Sequence, residues 1–254
     1  MIELAHGLGI DTALITNGSH LTDTNMRAAL EHCVWIRVSL DAIRPETFEK
    51  MHGLGAAAFE KVVANIKRLA KLKRDLRSDC TVGVGFLTCE DTAGEMVEAA
   101  REIKAWGVDY LQFRPLQVHR GGKFDYHWLE VDERIEEALS YSGGGYDVLF
   151  SKHKYQMIKR QDYGRTYGKC YGQQFASTIA ADAKVYVCCH LRDYDKYCVG
   201  DLREQSFMDI WNGERRRQVA ASIDFRDCIP LCRDNTFNQI LWEIRQPKAH
   251  ENFL

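Results

Sequence analysis

Trp35-Ile-Arg-Val-Ser-Leu40 and Thr81-Val-Gly-Val-Gly-Phe-Leu87 flank a long amphipathic stretch from Ala56 to about Leu76, and this strand, helix, strand reading decides the fold. Within the stretch Val62, Val63, Ile66, Leu69 and Leu72 recur at helical spacing, so one face seeks a core. The lysines and arginines from Lys67 to Arg77 fall on the other side, where they read as a solvated helix face rather than a binding patch. The two flanking runs are short and apolar, as strands buried in a sheet are. Parallel strands need a crossover of this length, usually a helix.

The same rhythm continues outward. Thr12-Ala-Leu-Ile-Thr16 is a short apolar run stopped by Asn17-Gly18, a tight-turn signal, and a helix begins near Thr22-Asp23. Glu3 to Gly9 reads as the tail of a helix. Downstream, a helix capped around Asp91-Thr92 extends to Trp106 with Gly107 as its stop, and a fourth strand runs from Tyr110 to Phe113. Regular alternation predicts an α/β fold with a parallel sheet or barrel and ligands at the carboxyl ends of the strands. That edge is expected to carry Asn17, Ser39, Asp41, Thr88 and Arg114. Asp41 reads more readily as the start of the turn before Pro45. Arg114 offers a planar fork for a carboxylate or phosphate, or a salt-bridged corner at a strand exit. About four such units are visible, whereas a closed parallel barrel takes roughly eight strands and an open doubly wound sheet about five or six. The sheet is therefore small or the chain is a fragment.

With 254 residues, 45% of them hydrophobic and 28% charged, the chain has material for one large domain and a small one. A net charge of −2 provides no field for a polyanion, so a nucleic-acid partner is not expected. No apolar run has the length of a membrane span and the start lacks a signal-peptide pattern, which places the expected protein in the cytoplasm, without a membrane partner. Three parts are expected: 1–120, the strand and helix units; 121–165, a connecting segment of weak pattern with a helical Val131 to Tyr141 and a possible strand Tyr146 to Phe150; and 166–254, a terminal module. In that module two short strands, around Phe175 to Ala180 and Lys184 to Cys188, turn at Ala181-Asp-Ala183, and a helix runs from about Ser206 towards Ser222.

Nine cysteines are too uneven for the disulfide framework of a small secreted domain. Cys33, Cys80 and Cys89 adjoin apolar strand or helix signals and read as small buried hydrophobes. The rest form the pattern Cys170-x17-Cys188-Cys189-x8-Cys198-x29-Cys228-x3-Cys232. Cys228 and Cys232 sit close together across a turn containing Pro230, and a hairpin can bring Cys170 and Cys188 together. Two close pairs in one short module point to a metal or iron-sulfur site at Cys170, Cys188, Cys228 and Cys232. Structural zinc is equally compatible with the spacing. Whether Cys189, Cys198 or His190 joins the set stays open, because successive side chains on a strand face opposite ways.

Leu14-Ile-Thr-Asn-Gly18 and Ile36-Arg-Val-Ser-Leu-Asp41 resemble the third and fourth strand motifs of radical S-adenosylmethionine enzymes. Ala183-Lys-Val-Tyr-Val-Cys-Cys189, Val199-Gly-Asp-Leu-Arg203, Ser206-Phe-Met-Asp-Ile-Trp211 and Cys228-Ile-Pro-Leu-Cys-Arg233 resemble, in the same order, their SPASM/twitch extension. The resemblance implies a partial (β/α) barrel of the triose-isomerase type that binds S-adenosylmethionine, followed by a small α+β module with an auxiliary [4Fe-4S] cluster on Cys170, Cys188, Cys228 and Cys232. It matches Ser39, and less closely Asn17, to strand-end positions that contact the cofactor. It implies an oxidoreductase or modifying enzyme that abstracts hydrogen from a peptide or small polar metabolite through a 5'-deoxyadenosyl radical, served by an electron donor such as flavodoxin or ferredoxin. The family's Cys-x3-Cys-x2-Cys motif, which binds the core [4Fe-4S] cluster, has no counterpart among these residues. The expectation is an absent amino-terminal segment of two strand and helix units, without which the chain is inactive. The competing expectation is a truncated, non-catalytic protein with a structural zinc or iron-sulfur site.

Overall fold

The structure, a computed structural model, describes residues 1–120, 123–125, 129–192 and 194–246. The chain divides into two units, one of Met1–Val118 and Tyr126–Arg160, the other of His119–Asp125 and Gln161–Leu254. Residues 121–122, 126–128, 193 and 247–254 of the expected connecting segment and terminal module lie outside the described residues.

The first unit runs α1 (Ile2–Gly7), β1 (Thr12–Thr16), α2 (Asp23–His32), β2 (Cys33–Ser39), α3 (Pro45–His52), α4 (Ala56–Leu76), β3 (Thr81–Thr88), α5 (Met96–Ala105) and β4 (Tyr110–Pro115). After the short strands β5 (Val118–Arg120) and β6 (Lys123–Asp125) it resumes with α6 (Asp132–Leu139), β7 (Asp147–Phe150) and α7 (Lys152–Arg160). Five strands form one sheet in the order β1-β2-β3-β4-β7, every neighbouring pair parallel. A doubly wound sheet reverses its order at a switch point. Here the order follows the sequence throughout, the winding of a barrel wall. The α/β class and partial barrel expected from the sequence are thus observed.

Local chemistry starts and stops these elements as the sequence suggests. Thr22 Oγ1 accepts from the Asn25 amide at 3.3 Å and Asn25 Oδ1 from the Thr22 amide at 2.8 Å, a reciprocal cap that opens α2. Gly18 holds φ at 74°, and its carbonyl accepts from the buried Asn65 side chain at 2.7 Å, which fixes the turn after β1 to α4. On α4 the buried set is Phe59, Val62, Asn65, Ile66, Leu69 and Ala70, in line with the apolar spacing. Ile66 and Leu69 are 0% exposed, each contributing about 1.5–3 kcal/mol of burial.

That helix face packs with Met26, Leu30, Met96 and Ile103 against Ile36, Val38, Val82, Val84, Phe86, Leu111 and Phe113 of the sheet, forming one core. Strand side chains alternate between faces, so Arg37, Ser39, Gln112 and Arg114 fall on the opposite face. Ile15 at 54% and Leu149 at 43% exposure belong to this second face, which the unit's helix core does not cover.

The second unit contains the antiparallel sheet β10-β9-β8, built from β8 (Thr178–Ile179), β9 (Lys184–Tyr186) and β10 (Cys198–Asp201). Helices α8 (Phe207–Asn212), α9 (Glu214–Ala221) and α10 (Asn235–Arg245) follow. Val185, Val187, Leu191, Tyr197, Val199, Ile210 and Val219 make its core. Among the described residues no helix is long and apolar enough to cross a membrane.

Candidate metal centre and strand-end site

In the second unit the Cys170 arm is fixed through its backbone. Asn238 of α10, 1% exposed, accepts with its Oδ1 from the Tyr171 amide at 2.5 Å and the Gly172 amide at 2.8 Å. Gly172 lies so close to the Cys232 arm that a methyl group on it would stand 2.6 Å from Asp234 Cβ. The Cys228 arm is held by Arg165, whose guanidinium donates to the carbonyls of Phe225 at 3.2 Å and Ile229 at 2.8 Å. The same guanidinium stacks on the Phe225 ring at 5.1 Å. Tyr167 meets that ring edge-on and donates to Asn235 at 2.9 Å. As the proline implied, Cys228 to Cys232 is a turn and not a helix. Tyr197 ties the preceding segment down, with its hydroxyl 2.6 Å from Asp227 Oδ2 and accepting from the Asp224 amide at 3.1 Å.

The expected thiols act on one another's ionisation. Cys170 and Cys232 oppose the ionisation of Cys228, Cys170 opposes that of Cys232, and Cys232 opposes that of Cys188. Burial pushes the Cys228 thiol up to about 12 and raises Cys170 and Cys232. Cys188 is raised by its hydrogen bond to Cys189 and then by burial. Cys189 is drawn down to about 4 by that bond, with help from His190 and Arg233. Thiolates at the four raised positions call for a cation in their midst. Among the described residues, no three His, Cys, Asp or Glu side chains are gathered tightly enough for a single metal ion. Six free cysteines lie in this unit, among them the four expected thiols, a donor set whose chemistry suits a thiolate-held metal or iron-sulfur group.

In the first unit, Ser39 ends β2 beside Gly85 of β3, half-buried on the uncovered face. Asn17 is exposed just past β1, and its Oδ1 accepts from the Ser19 amide at 3.1 Å and the Ser19 hydroxyl at 2.8 Å. Arg114 is the penultimate residue of β4, its ionisation disfavoured by burial and then by Arg37. Thr88 turns away from this group: it is 3% exposed, 2.6 Å from the Tyr155 hydroxyl, and donates to the Arg114 carbonyl at 3.2 Å. It ends β3 at the expected edge, but its side chain lies on the helix-covered side, taken up by these two partners. Asp41 is more than a turn residue. It is 4% exposed with φ at 61°, its Oδ1 accepts from the Leu87 amide at 2.8 Å, and Oδ2 stands 3.8 Å from His52 Nε2. Burial raises its carboxyl above the ordinary value. Arg37 went unnoticed in the sequence because only the pairing of β2 with β3 and β4 reveals its neighbours. Cys33 and Cys80 are buried, as expected for small hydrophobes, and Cys89 is half-buried.

Residues 170–235 match the SPASM family model, an iron-sulfur cluster-binding domain. A search of curated proteins finds no match to the sequence. Among solved structures, Streptococcus suis SuiB bound to its precursor peptide SuiA aligns over 87% of this chain with a TM-score of 0.62 and 9% identity. Native anSMEcpe with bound AdoMet aligns over 86% of this chain and 64% of its own, at TM-score 0.49 and 16% identity. A domain of a pyruvate-formate lyase-activating enzyme from Bacteroides vulgatus aligns over 59% of this chain and 88% of its own, at TM-score 0.44 and 13% identity. The chain spans about half of the SuiB chain, 52%. It shares SuiB's fold over most of its length, and its segment 170–235 matches the SPASM iron-sulfur cluster-binding domain.

Proposed function

We propose that this chain is part of a radical S-adenosylmethionine enzyme that modifies a peptide, with an auxiliary [4Fe-4S] cluster held by Cys170, Cys188, Cys228 and Cys232. The match of residues 170–235 to an iron-sulfur cluster-binding domain, spanning three of these thiols and reaching the fourth at its first residue, carries the reading. The fold shared with SuiB, whose structure holds a precursor peptide, supports the barrel and favours a peptide over a small metabolite.

When bound, the auxiliary cluster supplies a one-electron acceptor or relay. Asn238 and Arg165 hold the cysteine arms in place through backbone contacts. Ser39, with Asn17 beside it, is assigned to S-adenosylmethionine, and Arg114 to substrate. The Cys-x3-Cys-x2-Cys triad for the core cluster is not among these 254 residues, so hydrogen abstraction is assigned to a longer protein that supplies it. The test is to produce the chain with its upstream coding sequence, anaerobically and with reconstituted clusters, and to add S-adenosylmethionine with a low-potential reductant. Release of 5'-deoxyadenosine is the expected result. A cluster-loaded protein of that length that releases none contradicts the reading.

A further inference from the structure

Strands β2, β3 and β4 bring two guanidinium groups together on the face that the helices leave uncovered. Arg37 and Arg114 meet over Gly85: a methyl group there would stand 3.3 Å from Arg37 Cδ and 3.5 Å from Arg114 Nη2. The Nε atoms of both arginines are closed off from solvent and have no hydrogen-bond partner among the described residues. Buried charged donors of this kind are costly unless an acceptor meets them. The acceptors nearby are already engaged. Gln112 Oε1 takes Arg37 Nη1 at 2.6 Å. Asp41 gives one oxygen to the Leu87 amide and turns the other towards His52.

Asp41 is the carboxylate whose charge acts on both guanidinium groups, and one carboxylate against two arginines leaves a positive charge at the pair. A monoanion with two oxygens matches that charge and the side-on fork of a guanidinium better than a dianionic phosphate does. From Arg37 a groove of about 480 Å³ runs along the same unit, lined by Trp35, Asp109, Tyr110, Gln112, Asp147 and Leu149 among others. Aromatic walls beside the Arg37 guanidinium suit a peptide segment that carries an acidic side chain at that end, with neutral or basic residues along Asp147 and the Lys73-paired Asp109.

We infer that Arg37 and Arg114 form a carboxylate-recognition site, and that the peptide substrate presents an Asp or Glu side chain to it. The word substrate rests on the proposed function; the binding site does not.

The test uses the full chain with nitrogen-15-labelled arginine and follows the Nε–H resonances of Arg37 and Arg114. The probes are a short blocked peptide containing Glu, the same peptide with Gln, inorganic phosphate, and S-adenosylhomocysteine. The Glu peptide is expected to shift both resonances saturably, and the Gln peptide to bind at least tenfold more weakly. Arg37→Gln and Arg114→Gln should each lose the response, and Arg114→Lys, which keeps the charge without the fork, should weaken it at least fivefold. Should the variants fail to fold, the wild-type titrations alone decide. Equal binding of the Gln peptide, stronger binding of phosphate, or a response to S-adenosylhomocysteine in place of the Glu peptide overturns the inference. The last result would give the pair to the cofactor's own carboxylate. Glu-peptide binding without 5'-deoxyadenosine release in the longer protein would sink the proposed function and leave this site standing.

Discussion

Asn238 performs a task out of proportion to one amide side chain, because a single oxygen satisfies two buried backbone donors next to Cys170. Asn238→Ala strands both, at about 1–3 kcal/mol each. Urea unfolding followed in the second unit should show a loss of about 2–6 kcal/mol, and iron retained after desalting should fall with it. Asp41 makes a prediction about pH. Its carboxyl is raised above 3.8 by burial, so the folded chain holds a proton that the unfolded chain has released. Stability therefore falls as pH rises from 3.8 up to the raised value, and the loss persists at neutrality. Asp41→Asn keeps an oxygen for the Leu87 amide and should flatten that slope when urea midpoints are compared from pH 3.5 to 7. An unchanged slope would mean that Asp41 titrates as an ordinary surface carboxylate.

Among the elements, β3 and β4 pack with no spare room on the uncovered face. The Tyr110 ring lies over Gly83, and a methyl group there would meet it at 2.2 Å. Gly83→Ala should cost about 1–3 kcal/mol, and combining it with Tyr110→Ala should cancel much of that cost in a double-mutant cycle. Additive effects would show that the ring moves aside freely. Element by element, the sequence was most legible where periodicity was strong. The buried stripe of α4 follows its apolar spacing, and β8 and β9 turn at Ala183, which holds φ at 66°. Helix α3 was missed because Pro45 read as a turn, although proline suits the first helical position, which it occupies. The single helix expected from about Ser206 towards Ser222 breaks at Gly213 into α8 and α9, where φ −70° and ψ 157° are extended backbone. Strand β10 is only four residues long with a glycine inside, too brief for an alternation signal. Trp211 is half-buried, with the Arg216 guanidinium 3.7 Å from its ring.

At the scale of the whole molecule, alternating strands and helices foretold a parallel sheet, while the placing of residues 129–160 needed tertiary pairing. Strand β7 is four residues long, yet it pairs with β4 and extends the sheet to five strands. The thiol arms were legible because cysteine is rare and its spacing conspicuous. Their supports were not: Asn238 reaches back 67 residues to Tyr171, and Arg165 reaches forward 64 residues to Ile229. Such contacts leave no local pattern. The most direct measurement for the central claim is anaerobic reconstitution of the chain with iron and sulfide, followed by analysis of bound iron, sulfide and zinc. The account predicts about four irons and four sulfides per chain, with the visible absorption of a cluster, lost in the Cys228→Ala, Cys232→Ala double variant. Stoichiometric zinc without sulfide, or a folded chain that binds no metal, would contradict it.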